Sequence, residues 1–152
     1  MLIREVMTPH AEWISPDTLL AEAAAKMRDE GIGCLPVGDN DRLVGMLTDR
    51  DIVCRGVAAG LDPGRAKASE AMTKGVTWCF EDEAVDAVLQ RMDTKEIHHI
   101  PVLNRQKRMT GILTLSDIAL RGSQDFAGLF GHLAARDARH HDARPTPGQA
   151  TH

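Results

Sequence analysis

Apolar residues recur along this chain at two spacings, one helical and one alternating. Leu19, Leu20, Ala23, Ala24 and Met27 fall on one helical face, and Gly31 follows as a stop signal. Ser15-Pro16 ahead of them reads as an N-cap with Pro at the first helical position. A short apolar strand, Trp13-Ile14, leads into that helix. After the helix come Leu35-Pro36-Val37, the polar turn Gly38-Asp39-Asn40-Asp41, and a second apolar run from Leu43 to Leu47, which together predict a hairpin. The same order returns further on. Val85, Val88, Leu89 and Met92 stand at i, i+3, i+4 and i+7. Ile100-Pro101-Val102, the turn Asn104-Arg105-Gln106-Lys107 and the run Met109 to Leu113 follow. Thr48 and Thr114 then open second helices through Ile52 and Ile118. The predicted order is β-α-β-β-α, twice, an α+β fold.

The two halves are copies. A shift of 65 positions lays Met7-Thr8 on Met72-Thr73, Trp13 on Trp78, Asp17 on Asp82, Met27 on Met92, and Pro36-Val37 on Pro101-Val102. One added residue in the turn then lays Gly45 on Gly111, Leu47-Thr48 on Leu113-Thr114, Asp51-Ile52 on Asp117-Ile118, and Arg55-Gly56 on Arg121-Gly122. Two units that each bury half a core pack face to face around a pseudo-two-fold axis, which creates two related clefts. The expected organisation is unit 1 over 1–57, a linker over 58–69, unit 2 over 70–123, a helical extension over 124–135 and a disordered tail over 136–152. The extension rests on Phe126, Leu129, Phe130 and Leu133 at helical spacing, weakened by Gly128 and Gly131.

The repeated residues resemble a known family. Val6-Met7-Thr8, Gly33-Cys34-Leu35-Pro36-Val37 and Gly45-Met46-Leu47-Thr48-Asp49-Arg50-Asp51-Ile52 resemble a CBS (cystathionine β-synthase) motif. Ala71-Met72-Thr73, His98-His99-Ile100-Pro101-Val102 and Gly111-Ile112-Leu113-Thr114-Leu115-Ser116-Asp117-Ile118 resemble it again. Together they look like a tandem CBS pair, or Bateman module, over roughly residues 1 to 122. Thr48 to Gly56 with Ala58 to Pro63 is also similar to small stand-alone bacterial CBS-pair proteins of the hypoxic-response type. The resemblance implies an adenosyl ligand in the clefts: AMP, ADP, ATP, NAD or S-adenosylmethionine. The family pattern Gly-hydrophobic-x-Thr/Ser-x-x-Asp falls on Gly45, Thr48 and Asp51, and on Gly111, Thr114 and Asp117. The family's adenine contacts, made by backbone, map onto Ile14, Cys34, Leu35 and Pro36 and onto Cys79, His99, Ile100 and Pro101. The resemblance further implies a homodimer in the form of a flat disc.

The chemistry of those positions fits. A Thr between a strand and a helix sits among free backbone N–H groups, where a phosphate is favoured. The Asp three residues on can accept two hydrogen bonds from vicinal ribose hydroxyls. Arg50 stands between them in the first unit and can reach a phosphate, whereas the second unit has Ser116, so the two sites are predicted to be unequal. The same Thr-x-x-Asp is also a capping box, and that role accompanies binding. Trp13 and Trp78 are expected as core anchors near the interface between the units, and Met7, Met27, Met72 and Met92 as packing. Cys34 and Cys54 are expected as buried small hydrophobes. His98 and His99 point to opposite faces of a strand, with His99 at the adenine slot, and so do not chelate one metal. Arg55 and Arg121 are expected to complement the C-termini of their helices.

Composition narrows the function classes. Lys plus Arg number 18 and Asp plus Glu 22, a formal net charge of −4, which argues against a nucleic acid polymer as partner. Aromatics are 3% with no Tyr, too few for a base-stacking platform. No apolar run reaches the ~18 residues of a membrane span, and Met1 to Glu5 carry no signal-peptide pattern, so a cytoplasmic protein is expected. Three separated cysteines without a CxxC give no disulfide framework and no zinc site. Asp49 and Asp51 form a carboxylate pair, but Leu115 replaces Asp49 in the second unit and no nucleophile–base set emerges. The reading is therefore a non-catalytic sensor of an adenine nucleotide, acting in trans on an unidentified protein. The alternatives are an interaction protein with degenerate sites and, behind it, an enzyme. No catalytic cofactor is expected.

Overall fold

The computed structural model describes residues 1–121; the predicted extension with its Phe126 to Leu133 stripe, and the tail, lie outside the described residues. The chain opens with α1 (Ile3–Val6) and β1 (Thr8–Pro9), then α2 (Leu20–Glu30) and the hairpin β2 (Cys34–Asp39) and β3 (Arg42–Thr48). A short α3 (Asp49–Asp51) runs directly into a π-helical turn, Ile52–Val57. The second round is α4 (Ala68–Ala71), β4 (Cys79–Phe80), α5 (Val85–Lys95), the hairpin β5 (His99–Leu103) and β6 (Met109–Thr114), and α6 (Leu115–Arg121).

The two sheets share one plan. In the second unit the strand order is β1-β6-β5-β4. In the first, β2 and β3 form the hairpin, while the outer positions shrink to single bridges, Ile14 beside Val37 and Thr73 beside Met46. The outer partner of each hairpin's second strand thus comes from the segment that precedes the other unit. The cores repeat this exchange. Ile3, Val6 and Met7 are buried with Val85, Val88, Leu89, Met92, Ile100 and Leu113 of the second unit. Ala66, Ala68 and Ala71 are buried with Leu20, Met27, Leu35, Val37 and Leu47 of the first. Residues 7–14 and 72–79 are therefore crossovers between the units.

Several expectations change. The helix α2 begins at Leu20 rather than at Pro16, and Ala24 on its predicted apolar face is exposed. Its first N–H groups find partners across the fold: Leu20 N donates to Ala66 O at 2.9 Å and Ala21 N to Pro63 O at 2.9 Å. Ser15 instead closes a local turn, its Oγ accepting from Asp17 N at 3.1 Å. Carbonyls of the 58–69 segment thus do the capping that the sequence assigned to Ser15. The second unit does the same, with Val85 N on Met1 O at 3.0 Å. The predicted stop at Gly31 holds: its φ is 65° and its N–H returns to Met27 O. Trp13 is not a core anchor; it is 37% exposed and lies over Gly38 at the surface. Trp78 is half-buried and meets the Phe80 ring edge-on at 4.8 Å. Cys54 is exposed, against expectation, in the π-helical turn beside the exposed Val53; Cys34 and Cys79 are buried.

Candidate functional site

A cleft of about 430 Å³ opens between the units. The first unit contributes residues 30–34 and Pro36, the crossover contributes Thr8, Ala11 and Glu12, and the second unit contributes His99, Ile112, Thr114 and Ser116. Of the residues singled out from the sequence, Cys34, Pro36, His99, Thr114 and Ser116 are brought together here. Asp117, 8% exposed, does not itself line the cleft but is hydrogen-bonded to Thr8 and Thr114, which do. Oδ2 of Asp117 accepts from Thr114 N at 3.0 Å, and Thr114 Oγ1 accepts in turn from Asp117 N at 3.1 Å. Oδ1 accepts from Thr8 Oγ1 at 3.0 Å. A carboxylate has roughly four acceptor positions, so both oxygens keep capacity for further donors.

The first unit repeats the arrangement. Asp51 is 9% exposed. Its Oδ2 accepts from Thr48 N and its N–H donates to Thr48 Oγ1, both at 3.0 Å. Thr73 Oγ1 stands 3.5 Å from both carboxylate oxygens, longer than the Thr8 bond. The capping box is therefore real in both copies. Arg50 is exposed, and its N–H donates to Asp49 Oδ1 at 2.8 Å. Ile14 and Leu35 belong to the first core, and Cys79 and Ile100 to the second; none of the four lines this cleft. Pro101 is buried in β5, opposite Ile112.

Two residues that sequence reasoning left out belong to the site: Thr8 and Thr73. Their signal was the repeated pair Met7-Thr8 and Met72-Thr73, which marked the duplication but not its chemistry. Arg55 and Arg121 also differ from expectation. Arg55 Nη1 donates to Met72 O at 3.1 Å and Arg121 Nη1 to Met7 O at 2.9 Å, rather than to the carbonyls of their own helices.

The cleft's electrostatics follow from burial and pairing. Burial, with help from His98, holds His99 below the ordinary imidazole value, and Asp49 opposes this only in part. His99 is thus neutral near pH 7. Burial, reinforced by Asp49, pushes the Cys34 thiol up to about 11, which leaves it protonated and a poor nucleophile. At the mouth, Lys26 pairs with Glu12 and lies 3.6 Å from Glu30. The hydrogen bond from Lys26 lowers the Glu12 carboxyl, while the shared contact with Glu12 raises that of Glu30. A larger cavity of about 600 Å³ lies against the hairpin turns, lined by Arg42, Trp78, Lys107 and Arg108 among others. It holds none of the Thr or Asp residues of the repeated motif, and Arg108 already pairs with Asp41 at 2.8 Å. The smaller cleft is the candidate because Thr8 and Thr114, the hydrogen-bond partners of the buried Asp117, line it.

Two half-sheets that trade their outer strands, with a Thr-x-x-Asp at the end of each hairpin, define a tandem CBS pair. The chain belongs to the CBS-domain family, whose model matches residues 3–55 and 68–122. It is 39% identical over 117 residues to Hypoxic response protein 1 of Mycobacterium tuberculosis, covering 76% of this chain and 81% of that protein. The crystal structure of Hypoxic Response Protein I with two coordinated zinc ions superposes with a TM-score of 0.73 at 38% identity, over 79% of this chain and 98% of that one. The CBS pair of protein MJ0100, solved with 5′-methylthioadenosine and S-adenosyl-L-methionine, gives a TM-score of 0.66 at 29% identity, over 79% of this chain and 94% of that one. Among the described residues no group of three His, Cys, Asp or Glu side chains is placed to hold a metal ion. None of the described helices is long and apolar enough to cross a membrane.

Proposed function

We propose that this chain is a regulatory, non-catalytic module that binds an adenosyl ligand of the AMP, ADP, ATP, NAD or S-adenosylmethionine class and acts in trans on a partner protein. The observation that carries this reading is Asp117: a buried carboxylate with acceptor capacity left, hydrogen-bonded to Thr8 and Thr114, which line a cleft between the two units. Vicinal ribose hydroxyls are the donors it fits. The apolar wall of Cys34, Pro36 and Ile112 suits a base read by backbone groups. A cleft of about 430 Å³ falls within the ordinary range for small-molecule sites. The MJ0100 pair, with its methylthioadenosine and S-adenosyl-L-methionine, supports the ligand class.

The output follows from the cleft's position. A ligand touching both units favours one arrangement of them by its difference in affinity for the two states. Homodimerisation through the second helices belongs to the same reading. Val53, Val57 and Leu120 are 59%, 63% and 84% exposed there, an apolar face that a second copy would cover. A cytoplasmic setting suits such a sensor.

Calorimetry and thermal melting with AMP, ATP, NAD and S-adenosylmethionine test the reading. At a concentration 100 times the dissociation constant, a bound ligand raises the unfolding free energy by about 2.7 kcal/mol. Asp117→Asn keeps the cap but removes the charge, and is expected to weaken binding at this cleft by at least about tenfold. If no ligand of the panel binds or shifts the melt, the interaction-protein alternative replaces this reading.

A further inference from the structure

The two arginines that end the second helices make the same unexpected contact. Arg121 Nη1 reaches across 114 residues of sequence to Met7 O, and Arg55 Nη1 across 17 to Met72 O. Each accepting carbonyl belongs to the peptide bond that leads directly into Thr8 or Thr73. Each of those threonines in turn points its hydroxyl at the carboxylate of Asp117 or Asp51, near the start of the same helical segment. One helix therefore grips the crossover at two successive residues, by its arginine and by its aspartate.

We infer that Arg55 and Arg121 are positioning residues for the ligand sites, acting through Thr73 and Thr8. The inference rests on the nucleotide reading of the cleft. Beside this grip, the crossover around Thr8 is held by a two-residue ladder, Thr8 opposite Ile112 and Pro9 opposite Gly111. That around Thr73 is held by a bridge to Met46, with N···O distances of 3.0 and 2.9 Å. The bridge holds the Met72–Thr73 peptide by its N–H, and Arg55 holds the same peptide by its carbonyl. With both sides held, the peptide plane is fixed, and with it the backbone from which the threonine hydroxyl projects. The planar guanidinium suits this task better than an ammonium, since it spreads several donors in a rigid fork. A chance rotamer would not recur in both copies. The grip is tighter in the second unit, at 2.9 and 3.0 Å against 3.1 and 3.5 Å, so its threonine is the better fixed.

The test uses the full chain with AMP and 5′-methylthioadenosine as separate probes, titrated by calorimetry. With the cleft beside Asp117 called the second and the corresponding position around Asp51 the first, an Asp51→Asn background isolates the second and Asp117→Asn isolates the first. Arg121→Ala is expected to weaken the second cleft about fivefold to tenfold and to leave the first unchanged; Arg55→Ala does the reverse. Arg121→Lys restores part of the loss. The decisive arm is a double-mutant cycle: Arg121→Ala adds no further loss in the presence of Thr8→Val, because both act through one hydroxyl. Loss of a residue that merely stabilises the fold lowers the urea midpoint but leaves the affinity of the folded protein unchanged. Two results overturn the inference: wild-type affinity in Arg121→Ala while Thr8→Val weakens binding, or full additivity of the pair. If the wild type binds neither probe, the nucleotide reading fails and the inference falls with it.

Discussion

Replacing Gly111 by Ala tests how closely the crossover approaches the hairpin. A Cβ added there lies 2.5 Å from Thr8 O, 3.0 Å from Met7 Sδ and 3.3 Å from Pro9 Cα. The first distance is about 0.9 Å inside the 3.4 Å at which ordinary contact begins, and its partner is backbone. The crossover must move, which strains the β1–β6 ladder and carries Thr8 away from Asp117. Overpacking of this kind costs about 1–3 kcal/mol, and the rigid partner places Gly111→Ala near the upper end. Gly45 is the repeat counterpart. Its added Cβ meets Met72 Sδ at 2.6 Å and Thr73 O at 2.9 Å, a milder clash because the thioether can turn aside and the backbone oxygen stands further off than the 2.5 Å at Gly111. Gly45→Ala is expected nearer 1–2 kcal/mol by the same rule of roughly 1–3. Gly31→Ala is the control: nothing lies within 4 Å, but φ is +65°, so roughly 1 kcal/mol of backbone strain is expected without any clash. Urea unfolding of the three variants gives the ranking. Ligand affinity is read for Gly111→Ala alone, which is expected to weaken the second cleft; Gly31 lines that cleft and serves only as the stability control. Gly111→Ala within 0.5 kcal/mol of wild type, taken as about the noise of a neutral surface change, would falsify the close-approach argument.

Two further outcomes follow from burial. His99 titrates below its unfolded value of 6.5, so the unfolded chain takes up its proton first. Stability should then be unaffected by this group above pH 6.5 and fall as pH drops from there through the folded value. His99→Gln is expected to flatten that part of a stability–pH curve, and an unchanged slope would show that other groups carry it. The thiols should separate as well: Cys54, exposed, reacts rapidly with a thiol reagent, whereas Cys34 and Cys79, raised to about 11 and 12, react only after unfolding. Fast labelling of all three in the native protein would contradict the buried cores described for both units.

The duplication was legible because rare residues matched in order, and it carried the element sequence with it. Val85, Val88, Leu89 and Met92 are all buried as their spacing predicts. The hairpins sit where the polar turns placed them, and Thr48 and Thr114 cap as their Thr-x-x-Asp spacing implies. The start of α2 was not legible, since Ser15-Pro16 offers a good local cap while the capping carbonyls come from Pro63 and Ala66. Nor was the surface position of Trp13, because residue type says nothing of where a crossover leaves the core.

By itself the order of residues determined that there are two copies, what each is built from, and which Thr and Asp recur. Those are local properties: periodicity, turn chemistry and caps depend on residues a few positions apart. Tertiary structure alone decided which unit each opening segment completes. Ile3, Val6 and Met7 bury their side chains with the second unit and Ala66, Ala68 and Ala71 with the first, a long-range exchange that no local preference records. That exchange carries Thr8 to Asp117 and Thr73 to Asp51. It also explains Gly45 and Gly111, whose missing side chains admit the crossing backbone. The paired sites exist because burying the apolar side of each short segment is possible only against the other copy's sheet.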